Sequence, residues 1–275
     1  MAAAISSPRR AKPAAATTML LMPPSGSVVP SAREALGPVG AYLPIQTSSA
    51  PSAGQQREAV RRLERAGYRA AWTNEAPGKD ALVQVAVLLA ATERMVLGTG
   101  IANIWSRSPQ TAQGAAALLA QAYPGRFVLG LGVGPPHQAA SAGREFGKPV
   151  ATMRGYLEQM AAPGRMPYPD VAYPKIIGGN GPRMVALAGE LADGVMPAMP
   201  APEFTATARQ LLGAGKLLVV YTHTLIGQDA ADVAASVREQ LEAGADHVTV
   251  GTPFGADFAA GVDHLEQIAP ALAGI

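Results

Sequence analysis

Three short glycine-rich runs mark where this 275-residue chain is built to meet a ligand. The run Leu97-Gly98-Thr99-Gly100-Ile101-Ala102-Asn103 sets two glycines into otherwise β-prone sequence. Glycine weakens a strand, and it is kept there for a bulge or for close approach of backbone to a ligand. The run Gly130-Leu131-Gly132-Val133-Gly134 puts glycine at alternate positions, which leaves one strand face bare for a flat ligand. The third, Gly178-Gly179-Asn180-Gly181-Pro182-Arg183, combines glycines with a proline suited to the first helical position. Free N–H groups and the positive end of a helix there favour an anion, and Arg183 adds a cationic fork, so the loop reads as a phosphate cradle. Each run taken alone also fits a tight turn or an ordinary helix start. Gly251-Thr252-Pro253-Phe254-Gly255-Ala256-Asp257 offers a further anion contact or a loop capped by Asp257.

Titratable groups are sparser. The four histidines show no i, i+4 pairing and the chain has no cysteine, which argues against a metal site. His247 and His264 read as structural or solvated, whereas His137 and His223 are placed to exchange protons if they face a cavity. Asn74-Glu75 is either a polar pair at a catalytic address or a solvated loop. There is no Gly-x-Ser-x-Gly elbow, and the segment from Gly143 to Lys148 continues into Pro149 where a phosphate-binding P-loop needs Ser or Thr.

Elements that position these runs follow from periodicity. Strands are predicted at Val39–Pro44, Ala70–Thr73, Met95–Ile104, Phe127–Gly132, Lys175–Gly178, Gly194–Pro197, Leu217–Leu225 and His247–Gly251. Helices with apolar residues at 3.6 spacing are predicted at 52–66, 80–92, 109–122, 150–162, 181–190, 202–213, 229–243 and 257–273. Strands such as Leu217-Leu218-Val219-Val220 are continuously apolar, the mark of a parallel sheet buried on both faces. Strand and helix alternating eight times predict an α/β fold, a (β/α)₈ TIM barrel, with a doubly wound open sheet as the alternative. Chemistry then belongs at the C-terminal strand ends, where the glycine runs lie.

Composition limits the rest. With 48% hydrophobic and 15% charged residues the chain is globular in character. Residues 1–35 are Ala/Pro/Ser-rich and expected to lack fixed structure, leaving 36–275 as a single domain. Arg9, Arg10, Lys12 and Arg33 precede the first acidic residue, Glu34. Removing these four from the 22 basic residues leaves 18 against 20 acidic, so the alkaline pI of 9.0 does not imply a nucleic-acid partner. Met19–Met22 is cut short by Pro23-Pro24, too soon for a secretory core, and no apolar run is long enough to span a membrane. A cytoplasmic location without nucleic-acid or membrane partners is expected.

Taken in order, Asn74-Glu75, Glu93 to Asn103, Arg107-Ser108-Pro109 and Gly125 to Gly132 resemble the bacterial luciferase-like superfamily. Lys148 to Arg154, Gly181-Pro182-Arg183, Ala192 to Val195 and Gly251 to Asp257 are similar to its coenzyme F420-dependent branch, the methylenetetrahydromethanopterin reductases and their actinobacterial relatives. The resemblance covers about residues 36 to 275. It implies a luciferase-like barrel whose third-strand bulge, at Gly100–Ile101 here, backs a flavin or deazaflavin ring through a non-prolyl cis peptide. It implies cofactor contacts from Asn74, Gly100, Ile101, Asn103, Gly132, Val133 and Gly134, and a phosphate site at Gly179, Asn180, Gly181, Pro182 and Arg183.

Departures from the family pattern matter as well. The reductases carry an acidic residue in strand one where this chain has Tyr42, an Asp after the strand-four glycines where it has Pro135, and commonly an Asp-His pair where it has Asn74-Glu75. These losses argue against the same pterin substrate and leave Glu75, Tyr42 and His137 as candidate proton-handling residues. Leu225 also runs almost directly into the next helix, where relatives insert tens of residues. The resemblance implies F420-dependent hydride transfer to or from a small organic substrate, with a homodimer as a family expectation. The alternatives are an FMN-dependent monooxygenase served by a separate reductase, and a barrel that binds a flavin-like or anionic ligand without turnover.

Overall fold

A computed structural model of the chain describes residues 27–164 and 166–275. Its strands are β1 (Val39–Tyr42), β2 (Ala70–Thr73), β3 (Val96–Thr99), β4 (Ala102–Asn103), β5 (Phe127–Gly132), β6 (Lys175–Gly178), β7 (Gly194–Met196), β8 (Leu217–His223) and β9 (His247–Gly251). All pair in parallel in the order β3-β2-β1-β9-β8-β7-β6-β5-β4, and β3 also pairs with β5, which closes the ring. The predicted strand Met95–Ile104 is corrected to two pieces, β3 and β4, separated at a cis Gly100–Ile101 bond. With that split counted once, the ring is the predicted eight-stranded closed barrel.

Ten helices are described: α1 (Val29–Leu36), α2 (Ala53–Arg65), α3 (Ala81–Leu89), α4 (Pro109–Ala122), α5 (Pro136–Ser141), α6 (Pro149–Ala161), α7 (Pro182–Leu191), α8 (Pro202–Leu212), α9 (Ala230–Glu242) and α10 (Phe258–Leu272). Their starts are legible in local chemistry. Ser52 and Gln55 form a reciprocal capping box on α2, Asp80 accepts the Leu82 and Val83 N–H groups on α3, and Asp257 accepts from Ala260 on α10. The apolar faces of α2 to α4 and α6 to α10 pack on the outer face of the ring, with Leu63, Leu88, Met153 and Leu265 fully enclosed.

Inside the ring a second core stacks Trp72, Val96, Val128, Ile176 and Val219. Trp72 lies in register with Gly98, where a Cβ would sit 2.3 Å from the indole, so only glycine admits that ring. Helix α1 adds Val29, Ala32 and Leu36 to this inner core and closes the base of the barrel. The expectation of no fixed structure through residue 35 is therefore corrected for 29–35; residues 1–26 lie outside the described residues. Leu36 and Val29 find an apolar socket that local composition does not announce. The wholly buried His247 ties the plug in place, with Nδ1 2.7 Å from the Gly37 carbonyl and Nε2 accepting from the Trp72 indole N–H at 3.0 Å. His264 is also buried, between Thr224 and the Gly227 N–H.

Candidate active site

The bulge between β3 and β4 is pinned from both sides. Gly100 N–H donates to the Thr73 carbonyl at 2.7 Å, and Glu75 N–H donates to the Ile101 carbonyl at 3.0 Å. The Glu75 carboxylate accepts the Asn103 N–H at 2.5 Å and both terminal nitrogens of Arg107, whose guanidinium also reaches Asp80 at 2.8 Å. Glu75, with its side chain only 2% exposed, thus clamps the bulge and does not line the cavity above it. Asn103 is likewise turned away, accepting from Trp105 N–H and donating to Gln138.

The bare face of β5 receives this bulge. A Cβ at Gly130 would stand 2.0 Å from the Thr99 carbonyl oxygen, and one at Gly132 would stand 1.8 Å from Ile101 Cδ1. The reading of that face as a resting place for a flat ligand is corrected in this respect: the glycines admit Thr99 and Ile101. Ile101 in turn forms the shelf, and Gly132, Val133 and Gly134 continue it at the cavity edge.

A cavity of about 800 Å³ opens over this shelf at the C-terminal strand ends. Tyr42, Asn74, the Gly100–Ile101 pair, residues 132–134 and residues 179–183 all line it. Glu75, Asn103 and His137 do not. His137 sits exposed on the short helix α5, and half-buried His223 contacts Met199. Lining residues that the sequence did not single out include Met196 and Tyr221, while Phe254 belongs to the Gly251–Asp257 run noted as a further anion contact. The clue for Tyr221 lay in the period-two order Leu217, Val219, Tyr221, which carries the inward face of β8 up to the mouth.

Two ends of the cavity differ in chemistry. On the β6 side, α7 begins at Gly181 with no side-chain cap, and α6, which begins beside the cavity at Pro149, also has none. Asn180 accepts the Ala198 N–H at 2.8 Å and so fixes the loop. Arg183 is exposed, makes no ion pair among the described residues, and is the single formally charged residue of the lining. Two uncapped helix starts and an unpaired guanidinium make this end attractive to an anion.

On the β1 and β8 side, Tyr42 and Tyr221 pack with ring centroids 4.5 Å apart. Burial pushes both phenols above their ordinary range, most strongly Tyr42, where the neighbouring Tyr221 adds to the effect, so both stay protonated at neutral pH. The Tyr42 hydroxyl donates to the Gly100 carbonyl, which makes it a second brace on the bulge. Behind Asn74, the Lys79 ammonium reaches Asn74 Oδ1 at 2.7 Å and Thr73 Oγ1 at 2.9 Å. Burial lowers its pKa to about 8, partly opposed by Glu75. Among the described residues, no carboxylate and no imidazole lines the cavity. The arrangement suits holding an elongated ligand, apolar and flat at one end and anionic at the other, better than hydrolysis by paired acid and base.

Comparison with known proteins agrees with this geometry. The family model described as luciferase-like monooxygenase matches residues 38–270. A Mycobacterium tuberculosis protein named "Putative coenzyme F420-dependent oxidoreductase" is 31% identical over 190 residues, 58% of this chain and 55% of that protein. The 5,10-methylenetetrahydromethanopterin reductase of Methanolobus tindarius is 27% identical over 172 residues, 56% of this chain and 53% of the reductase. The chain thus aligns with about half the length of the curated relatives it matches. Among solved structures, an F420-dependent secondary alcohol dehydrogenase holding an F420-acetone adduct has a TM-score of 0.68 at 16% identity, covering 86% of this chain and 99% of its own. A Pseudomonas putida type II Baeyer-Villiger monooxygenase constituent in complex with FMN also has a TM-score of 0.68, at 13% identity, covering 86% and 98%. Likenesses at this identity establish the fold. Among the described residues no helix is long and apolar enough to cross a membrane, and no cluster of three or more acidic, histidine or cysteine residues is placed to hold a metal.

Proposed function

The chain belongs to the luciferase-like monooxygenase family, and from that membership we propose that it is an F420-dependent oxidoreductase acting on a small organic substrate. The observation that carries the reading is the pairing, in one cavity, of the Ile101 shelf with an anion-attracting end at Gly179–Arg183. A deazaflavin coenzyme has matching parts, a planar ring and a phosphate-bearing tail. Ile101, Gly132 and Val133 would support the ring, while the start of α7 and Arg183 would take the phosphate. When bound, F420 supplies two-electron hydride chemistry.

The chain's own contribution is orientation and exclusion of water, consistent with a lining that holds no carboxylate or histidine. Glu75, Arg107 and Tyr42 keep the shelf in place from behind and beside it. The curated relatives favour F420, while the FMN-bound structural neighbour supports an FMN-dependent monooxygenase as the second reading. Titrating the purified protein with each coenzyme, followed by fluorescence, separates them. Tight F420 binding with substrate-dependent change in its absorbance supports the first reading. FMN binding with oxygen uptake replaces it with the second, and binding without turnover across a broad substrate screen replaces both with a ligand-binding barrel.

A further inference from the structure

Of the polar groups on the β1 and β8 side of the cavity, one hydroxyl has no task within the protein. Tyr42 is committed to the Gly100 carbonyl, and the Asn74 side-chain oxygen is committed to Lys79. Tyr221 lines the same wall, is only partly buried, and its hydroxyl makes no hydrogen bond among the described residues. Its ring is held between Tyr42 and the bare backbone of Gly251, where a Cβ would lie 3.0 Å from Tyr221 Cε2 and 3.3 Å from its hydroxyl oxygen. The phenol is thus fixed in place by its ring and left open at its tip.

Its surroundings select what that tip can meet. Ile45 and Met196 line the same side, and Phe254 at the rim is 75% exposed. Leu225 and Ile226 follow closely after β8 and are 60% and 47% exposed, in the connection that is short in this chain. The one charged lining residue among those described, Arg183, belongs to the β6 loop, four strands round the ring from β1 and two from β8. Among the described residues, no cation lines this wall to neutralise an anion, and no carboxylate lines it to receive a cation.

We propose that this wall is the substrate subsite, that it takes a neutral, largely apolar molecule bearing a hydrogen-bond-accepting oxygen, and that the Tyr221 hydroxyl donates to that oxygen. The proposal rests on the cofactor reading above for the assignment of the β6 end to the coenzyme. Because burial keeps the phenol protonated, the donor is present throughout the neutral and mildly alkaline range. A substrate whose oxygen is charged, such as a carboxylate, finds no neutralising cation on this wall and loses hydration on entry that one neutral donor does not replace.

The test uses the full chain, unaltered and as Tyr221→Phe, which keeps the ring packed on Tyr42 and removes only the hydroxyl. Cyclohexanone and cyclohexanecarboxylate serve as probes, with F420 affinity measured separately by fluorescence. In the unaltered protein the carbonyl stretch of bound cyclohexanone is expected at lower frequency than in hexane. In Tyr221→Phe that shift is expected to vanish and ketone affinity to fall about fivefold, the size of one neutral hydrogen bond. F420 affinity is expected to change less than twofold, and the carboxylate to bind more weakly than the ketone. An unchanged band in Tyr221→Phe, or tighter binding of the carboxylate, overturns the subsite. Absence of F420 binding with the ketone band retained overturns the cofactor reading alone, so the two failures are distinguishable.

Discussion

Protonating His247 is expected to loosen the base of the barrel, and the size of the effect follows from its surroundings. A backbone carbonyl only accepts, so the contact with Gly37 fixes a proton on Nδ1, and the Trp72 indole N–H needs a bare Nε2. A second proton on the ring therefore faces a donor. Burial is the main reason that the pKa falls from 6.5 to about 4, opposed by the Gly37 hydrogen bond and by Asp246. Asp246 is already engaged by Arg33 at 2.8 Å, Arg209 at 2.5 Å and the Leu218 N–H at 2.8 Å. Because the folded pKa lies below the unfolded one, the stabilisation is complete above about pH 6.5. It is lost as the pH falls toward about 4, a total of about 3 kcal/mol. Urea unfolding of the unaltered protein and of His247→Gln, at several values between about pH 7.5 and 4, isolates this contribution. The carboxamide can still donate to Gly37 and accept from Trp72 but does not titrate, so the variant is expected to show a shallower loss. Equal slopes for the two proteins would refute the reasoning.

Three further changes probe the site. Arg183→Ala is expected to weaken F420 binding about tenfold while shifting unfolding free energy by less than about 0.5 kcal/mol; equal affinity removes the phosphate role. Gly132→Ala drives a methyl onto Ile101 and is expected to cost about 1–3 kcal/mol in urea and to weaken coenzyme binding. Adding Ile101→Ala is expected to restore stability but not binding, and failure of that rescue argues against the contact. Glu75→Ala leaves the largely buried Arg107 with Asp80 alone and the Asn103 N–H without its acceptor, and is expected to lower stability by about 3 kcal/mol. Glu75→Gln keeps an acceptor for the Asn103 N–H and is expected to retain turnover. A stable but inactive Glu75→Gln returns that residue to proton transfer.

Much of the barrel was legible because its strands are short, continuously apolar and punctuated by glycine and proline, as at Phe127–Gly132 and Lys175–Gly178, where prediction and structure coincide. The split at Gly100–Ile101 escaped the strand count because a bulge interrupts hydrogen bonding without interrupting β-prone sequence. Helix α1 escaped because eight residues in an Ala/Pro/Ser-rich stretch carry little propensity, and its stability comes from a socket formed by distant strands. At the site, glycine runs pointed to loops that line the cavity, since their cause is local. Glu75 was misplaced as a cavity residue because its partner Arg107 is 32 positions away, and a carboxylate reads the same in sequence whether it is clamped or free. Tyr221 was missed because its importance depends on which way the strand faces.

The plugged base has a practical corollary. Ser27, the first described residue, lies at the pole opposite the mouth, just ahead of α1 and beside Lys175 and Asp193 at the base of β6 and β7. A tether attached there would anchor the barrel to a bead or a sensor chip with its opening facing the solution, so immobilisation and ligand access need not compete.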